Sequence, residues 1–307
     1  MRLAVALAWA ILITGLGVDA GRADKRVALV IGNGAYEHAD RLANSVIDAR
    51  RMRDKLKTID FDVVFGENVG KLALERAIGD FASAAQDADV ALVYFAGHGA
   101  TFGDVPYVVP VDARYASLAA MPYELVPVEM LIGELRRAKG VRIAILDACR
   151  DNTAERNLKR VASRGGETTR GLARVKNPEG LILAYATQYL ATAADGPANQ
   201  DSPFTAALLD NIATPGLDVK ELFFRVGTEV IAKTKGEQRP EISVSFYDRY
   251  TLVPTLPAEK PAAAAPAPTP TATEAERAWA EAKDSKSPAV LEEYIKRATL
   301  PCRGAKE

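Results

Sequence analysis

A three-layer α/β fold, with a mostly parallel central sheet flanked by helices, is the architecture this sequence predicts. Three observations carry the prediction. From Lys25 to about Val253, short β-branched and apolar runs alternate with segments of helical periodicity, as in consecutive βαβ units. The runs are apolar nearly throughout rather than at every second residue, so both faces of the sheet are covered. Two of the runs end at a reactive side chain, in Gly97-His98-Gly99 and in Asp147-Ala148-Cys149. The carboxyl ends of parallel strands are where such sheets bind ligands and do chemistry.

Taken in order, Arg26 to Ile31 reads as a buried strand ended by Gly32-Asn33-Gly34. Ser45 to Lys57 follows as a helix, with Val46, Ala49, Met52 and Leu56 at helical spacing. Asp62 to Phe65 is the second strand and Lys71 to Ala85 the second helix. Val90 to Phe95 is the third strand, stopping before Gly97-His98-Gly99. Tyr107 to Val111 reads as a short hairpin arm at an edge, because Pro110 has no amide to donate. Val128 to Lys139 is a helix leading into the fourth strand, Val141 to Leu146. A polar loop rich in Gly and Arg then runs from Arg150 to Glu179, about thirty residues, and loops of that length in compact domains are usually functional. Gly180 to Tyr185 is the fifth strand. Helices over Ser202 to Ile212 and Asp218 to Lys235 precede a last strand, Ile242 to Phe246.

The ends of the chain differ in kind. Arg2, the uncharged run Leu3 to Val18 and the small residues Ala20 and Ala23 have the form of a secretory signal peptide over residues 1–23. The run is shorter than the roughly 20 residues a spanning helix needs. The expectation is an exported protein, periplasmic or secreted, with no membrane attachment after cleavage. Residues 24–253 form the main domain. Residues 254–273 are a Pro- and Ala-rich linker, and 274–307 a short helical segment with Trp279, Ala282, Leu291, Tyr294 and Ile295 in helical pattern. With 39 basic and 40 acidic residues the net charge is −1, so no global field draws the protein to nucleic acid.

The chain holds two histidines and two cysteines, and one of each sits at a strand end. Histidine titrates near neutral pH and can take a proton from a thiol and return it to a leaving amine. A thiol emerging beside an imidazole gains thiolate character and becomes a nucleophile. The backbone amides of Gly99 and Cys149 are then the candidate donors to a developing oxyanion. Other sites are excluded. No Cys/His cluster exists for zinc. Glu37 stands where a dinucleotide fingerprint opened by Gly32-Asn33-Gly34 needs its third glycine. His38 reads as a surface loop residue, and Cys302 lies in a tail unlike the context of Cys149, so a structural bridge between the cysteines is not expected.

Tyr94-Phe95-Ala96-Gly97-His98-Gly99 and Asp147-Ala148-Cys149-Arg150, with Cys149 placed 51 positions after His98, resemble the paired motifs of the caspase/metacaspase family of cysteine peptidases. The opening strand from Arg26 to Gly34 and the segment Asp195-Gly196 to Ser202-Pro203-Phe204-Thr205 share the resemblance, which thus covers roughly Lys25 to Phe246. Asp147 and Asp151 replace the Gln and Gly of the animal caspase motif and point to the metacaspase-like bacterial branch. The resemblance implies a caspase-like fold and an endopeptidase with Cys149 as nucleophile and His98 as its proton partner. It also implies cleavage after Arg or Lys, with Asp147, Asp48 and Ser45 in the pocket for the P1 side chain; Ser45 falls where that segment usually carries a cysteine. The expected partner is a peptide or protein with a basic P1 residue. No cofactor is expected. Many metacaspases are calcium-activated through a cluster of aspartates, and Asp112 and Glu129 are too sparse here for an oxygen cage. Arg156, Lys159, Arg160, Arg164, Arg170, Arg174 and Lys176 make the loop after Cys149 a candidate for self-processing. The alternative function is a catalytically silent caspase-like interaction domain.

Overall fold

The computed structural model describes residues 24–102, 105–114, 117, 119–149, 180–188, 193–255 and 274–298. The expected leader, the basic loop 150–179, most of the linker and the Cys302 tail lie outside them. The chain divides into two compact units, one through Pro254 and one from Thr255 on.

The first unit is built on eight described strands: β1 Arg26–Gly32, β2 Asp62–Glu67, β3 Val90–Phe102, β4 Val105–Val108, β5 Val126–Pro127, β6 Val141–Cys149, β7 Leu181–Tyr185 and β8 Glu241–Val244. The main path through the sheet is β2-β1-β3-β6-β7-β8. The first five of these strands are mutually parallel and β8 runs antiparallel to β7. Six helices accompany the described sheet: α1 Ser45–Lys57, α2 Lys71–Ala85, α3 Met121–Glu124, α4 Val128–Leu135, α5 Pro203–Asn211 and α6 Val219–Lys233.

Strand alternation decides the layers. Ala28, Val30, Tyr94 and Ile145 face Met52 and Leu56 of α1, Phe204 of α5 and Phe223 of α6. Leu29, Ile31, Val93 and Leu146 face Leu74 and Phe81 of α2 and Leu131 of α4. The predicted three-layer architecture with a mostly parallel sheet is therefore the one observed. In the second unit, α7 Glu274–Ala282 and α8 Pro288–Ala298 pack with the Trp279 and Tyr294 rings 5.3 Å apart. No described helix is long and apolar enough to cross a membrane.

Several boundaries differ from expectation. The last strand is Glu241–Val244 rather than Ile242 to Phe246, the second strand runs on to Glu67, and the helix expected to reach Lys235 ends at Lys233. Four more differ nearer the site. The third strand does not stop at Phe95 but continues through Gly97-His98-Gly99 to Phe102. Pairing with β6 up to His98, then with β4 from Gly99 to Phe102, supplies partners that outweigh the turn preference of the glycines. The hairpin arm expected at Tyr107 to Val111 is β4, Val105–Val108, and ends before Pro110. The helix expected to reach Lys139 ends at Leu135. Its last turn tightens into i→i−3 bonds, Arg136 N to Gly133 O and Ala138 N to Leu135 O, which bring the chain back to β6. The fourth strand runs on to Cys149 itself.

Candidate active site

His98 and Cys149 are direct register partners at the end of the β3–β6 ladder. Adjacent strands lie about 4.8 Å apart, so two residues separated by 51 positions in sequence are neighbours in the backbone. Val109 N donates to His98 O at 3.0 Å, which makes His98 the residue bonded toward β4. Its neighbour Gly99, opposite Val108, then directs its amide to the other edge of β3, the side on which β6 runs.

The imidazole of His98 is held from two directions. Its backbone N–H donates to Tyr36 Oη at 2.7 Å, and the Tyr36 ring lies 4.4 Å from its own. Gly97 makes room for that tyrosine, since a Cβ there would stand 2.6 Å from Tyr36 Oη. Nε2 lies 2.8 Å from the carbonyl oxygen of Asp40. A carbonyl only accepts, so in the neutral ring Nε2 carries the proton and Nδ1 is the basic nitrogen. Burial lowers the pKa of His98, opposed by the Asp40 carbonyl and the charges of Asp40 and Asp195, which favours the neutral ring. Tyr36→Phe is expected to leave the His98 amide unpaired and to lower kcat about tenfold with KM little changed; steady-state kinetics on a cleavable peptide checks this.

A second set of side chains converges beside this pair. The first turn of α1 sits hard against the end of β1, because Gly32 has no side chain; a Cβ there would meet Ala49 Cβ at 2.5 Å and Ser45 O at 2.7 Å. That contact brings Ser45 and Asp48, both buried, over the strand ends. Ser45, Asp48 and Asp147 line one small open pocket with Leu42, Gly97, Ala194, Asp195 and Ser202. It encloses about 250 Å3 including the solvent at its mouth. Among the described residues, three carboxylates and no lysine or arginine line it.

The two innermost acids are treated differently. Asp147 Oδ2 accepts from Ser202 Oγ at 2.6 Å and from Thr205 Oγ1 at 2.8 Å. The single proton of Thr205 is committed there, so Tyr94, 2.6 Å from Thr205 Oγ1, is the donor in their bond. Asp48 Oδ1 accepts one bond, from Ser202 N at 3.1 Å. Burial is the first cause raising both pKa values. Asp48 goes to about 9, with the Asp147 charge adding to the effect. Asp147 goes to about 6, restrained by the two hydroxyls. At neutral pH the direction of both shifts favours one retained proton in the empty pocket, a proton that belongs to the pair of carboxyls.

The sequence pointed to His98, Cys149, Gly99, Asp147, Asp48 and Ser45. It did not assign roles to Tyr36, Asp40, Asp195, Ser202 or Thr205. Asp195 and the Ser202-to-Thr205 segment stood within the family resemblance, and Ser202 followed by proline is a helix-start signal: Ser202 caps α5, accepting from Thr205 N at 3.0 Å. Of the residues weighed for calcium, Asp112 accepts from Lys71 N and Glu129 pairs with Arg136. Among the described residues no group of three or more His, Cys, Asp or Glu is placed to hold a metal ion. His38 is exposed, as expected.

Comparison with known proteins bears on the family and the fold. The mucosa-associated lymphoid tissue lymphoma translocation protein 1 of Homo sapiens is 29% identical over 133 residues, 43% of this chain and 16% of that protein. Its Mus musculus homologue is 29% identical over 129 residues, 42% of this chain and 15% of that protein. The chain thus spans only about a sixth of the length of these relatives. Among solved structures, Caspase-1 from Spodoptera frugiperda superposes with a TM-score of 0.54 at 15% identity, covering 75% of this chain and 91% of that one, a likeness of fold. The family model for the caspase domain matches residues 25–251, well over half of the sequence. The chain belongs to the caspase family.

Proposed function

We propose that the protein is an exported cysteine endopeptidase that hydrolyses peptide bonds after Arg or Lys. The observation that carries the reading is the juxtaposition of a His98–Cys149 register pair with a small open pocket lined, among the described residues, by Asp48, Asp147 and Asp195 and by no cation. An acidic P1 side chain would meet like charges there; a guanidinium or ammonium would be drawn in. Asp147, its Oδ2 already bound by two hydroxyls, offers Oδ1 to the cation, and Asp48 offers a second carboxylate. Ser45 lines the same pocket.

The chemistry follows from the residues present. The Cys149 thiol gives its proton to Nδ1 of His98 and the sulfur attacks the carbonyl carbon. The oxyanion is held by the amides of Gly99 and Cys149. Collapse of the tetrahedral species breaks the C–N bond, and the His98 proton goes to the departing amine. A water molecule, deprotonated by the same imidazole, then hydrolyses the thioester and restores the thiol. The basic segment 150–179, directly after the nucleophile, is a candidate substrate in cis. Export rests on the leader-like residues 1–23. A peptide chloromethylketone with Arg at P1 tests the site: the reading expects one covalent adduct, on Cys149, and fails if the Arg reagent leaves Cys149 unmodified while an Asp reagent labels it.

A further inference from the structure

Two walls of the pocket are fixed by regular structure, Asp48 on α1 and Asp147 on β6. The outer wall is coil, Ala193 to Asp195 and on toward Ser202, and coil needs a separate restraint. Two buried carboxamides, from opposite ends of the domain sequence, grip it.

Asn44 is fully buried at the N-cap position of α1, yet its side chain makes no cap bond. Asparagine there ordinarily satisfies an orphan amide of its own helix. Here Nδ2 donates to Asp195 O at 2.6 Å and to Pro197 O at 2.9 Å, while Oδ1 accepts from Asn199 N at 2.9 Å. Both donors and the acceptor are spent on one turn of the wall. Gln238, 2% exposed, leaves the C-terminal turn of α6, where its backbone N–H is held by Thr234 Oγ1 at 3.1 Å. Its Nε2 donates to Ala186 O at 2.9 Å, just past β7, and its Oε1 accepts from Ala194 N at 3.0 Å. Gln238 therefore ties the wall to the sheet, and Asn44 ties it to the helix that carries Asp48. The Ala43 amide adds a bond to Asp195 Oδ2 at 3.1 Å.

We infer that Asn44 and Gln238 are positioning residues for P1 recognition, a pair of carboxamide clasps that hold the 193–199 wall and with it the Asp195 carboxylate at the pocket. The inference rests on the basic-P1 reading above and adds to it the residues that set the pocket's width. Neither side chain has a described hydrogen bond to His98 or to β3 and β6, so the effect falls on binding rather than on the bond-breaking step.

The test uses the full chain and two variants chosen to keep the fold. Asn44→Ser restores a good helix cap that cannot reach the wall, and Gln238→Met keeps the side-chain volume without hydrogen bonds. Each is expected to raise KM for an Arg-P1 peptide about tenfold or more while kcat stays within about threefold, the loss expected for a disrupted buried polar contact. Amide hydrogen exchange at Asn199 is expected to quicken at least about tenfold in Asn44→Ser, and at Ala194 likewise in Gln238→Met. Unchanged exchange at those amides, or a fall in kcat at constant KM, overturns the positioning roles. If the wild-type protein turns over no basic-P1 peptide, the proposed function fails instead, while the exchange data still read the clasps.

Discussion

Replacing Cys149 by alanine is expected to abolish peptide hydrolysis, with kcat/KM falling on the order of 10^4-fold or more, and to leave the 150–179 segment uncut. Without the thiol there is no group at the end of β6 to form the covalent intermediate, and an imidazole with water alone recovers little of the rate. His98→Ala is expected to lose nearly as much, and the double variant little more than either, because the two act as one unit. The register supports this coupling: His98 and Cys149 are the last paired residues of their ladder. Thermal midpoints should barely move in Cys149→Ala, so lost activity is separable from lost fold. Equal fragmentation of wild type and Cys149→Ala on a gel would show that any cleavage of the loop comes from another protease.

The second large effect concerns the pocket acids, and it has opposite signs for binding and stability. Asp48→Asn is expected to weaken binding of a basic P1 residue by about 3 kcal/mol, roughly 10^2-fold, the scale of removing one partner of a buried charge pair. The same change should stabilise the empty protein. Burial pushes the folded-state pKa of Asp48 up to about 9 from 3.8. The native state therefore binds more protons than the unfolded chain between these values, and stability falls as pH rises through that window. The contribution is complete below the unfolded pKa and is gone above the folded one. An asparagine does not titrate, so at pH 8 a gain of about 1–2 kcal/mol is expected, of the kind seen when a functional site is neutralised. Asp147→Ala should differ: it leaves the Ser202 and Thr205 hydroxyls without their acceptor and is expected to destabilise by about 1–3 kcal/mol while also losing P1 binding.

Binding inherits the same linkage. A guanidinium favours both carboxylates ionised, so its entry expels the proton that the Asp48–Asp147 pair retains at neutral pH. KM for an Arg-P1 peptide is expected to fall as pH rises from about 6 toward about 9, the interval between the two pocket acids. The lowered pKa of His98 keeps its basic form present across that range. A pH-independent KM over the interval, with protein intact, would contradict the account of the pocket.

How far the sequence could be read follows from what kind of contact each residue makes. Strands, helices and layers were legible because burial on one or both faces imposes a periodicity within a short window. The His98–Cys149 pairing was legible because each sits at the end of such a window. Asp48 and Asp147 were legible only through resemblance to a family; nothing in the local pattern of α1 marks Asp48 as more than an acid in a first helical turn. The extension of β3 beyond Phe95 was not, since Gly97 and Gly99 carry a turn signal and the partners that override it come from β4 and β6. The partners of the site residues were hidden for the same reason. Asn44 meets a turn about 150 positions away, and Gln238 joins the end of β7 to that turn. A carboxamide announces no specific partner by its type.

One measurement bears most directly on the central claim: a positional scan of P1 in fluorogenic peptides, run on wild type, Cys149→Ala and Asp147→Ala. The account predicts turnover confined to Arg and Lys at P1, absent in Cys149→Ala and strongly reduced in Asp147→Ala. Turnover of Asp-P1 peptides in preference to Arg and Lys, or cleavage that survives in Cys149→Ala, would contradict it.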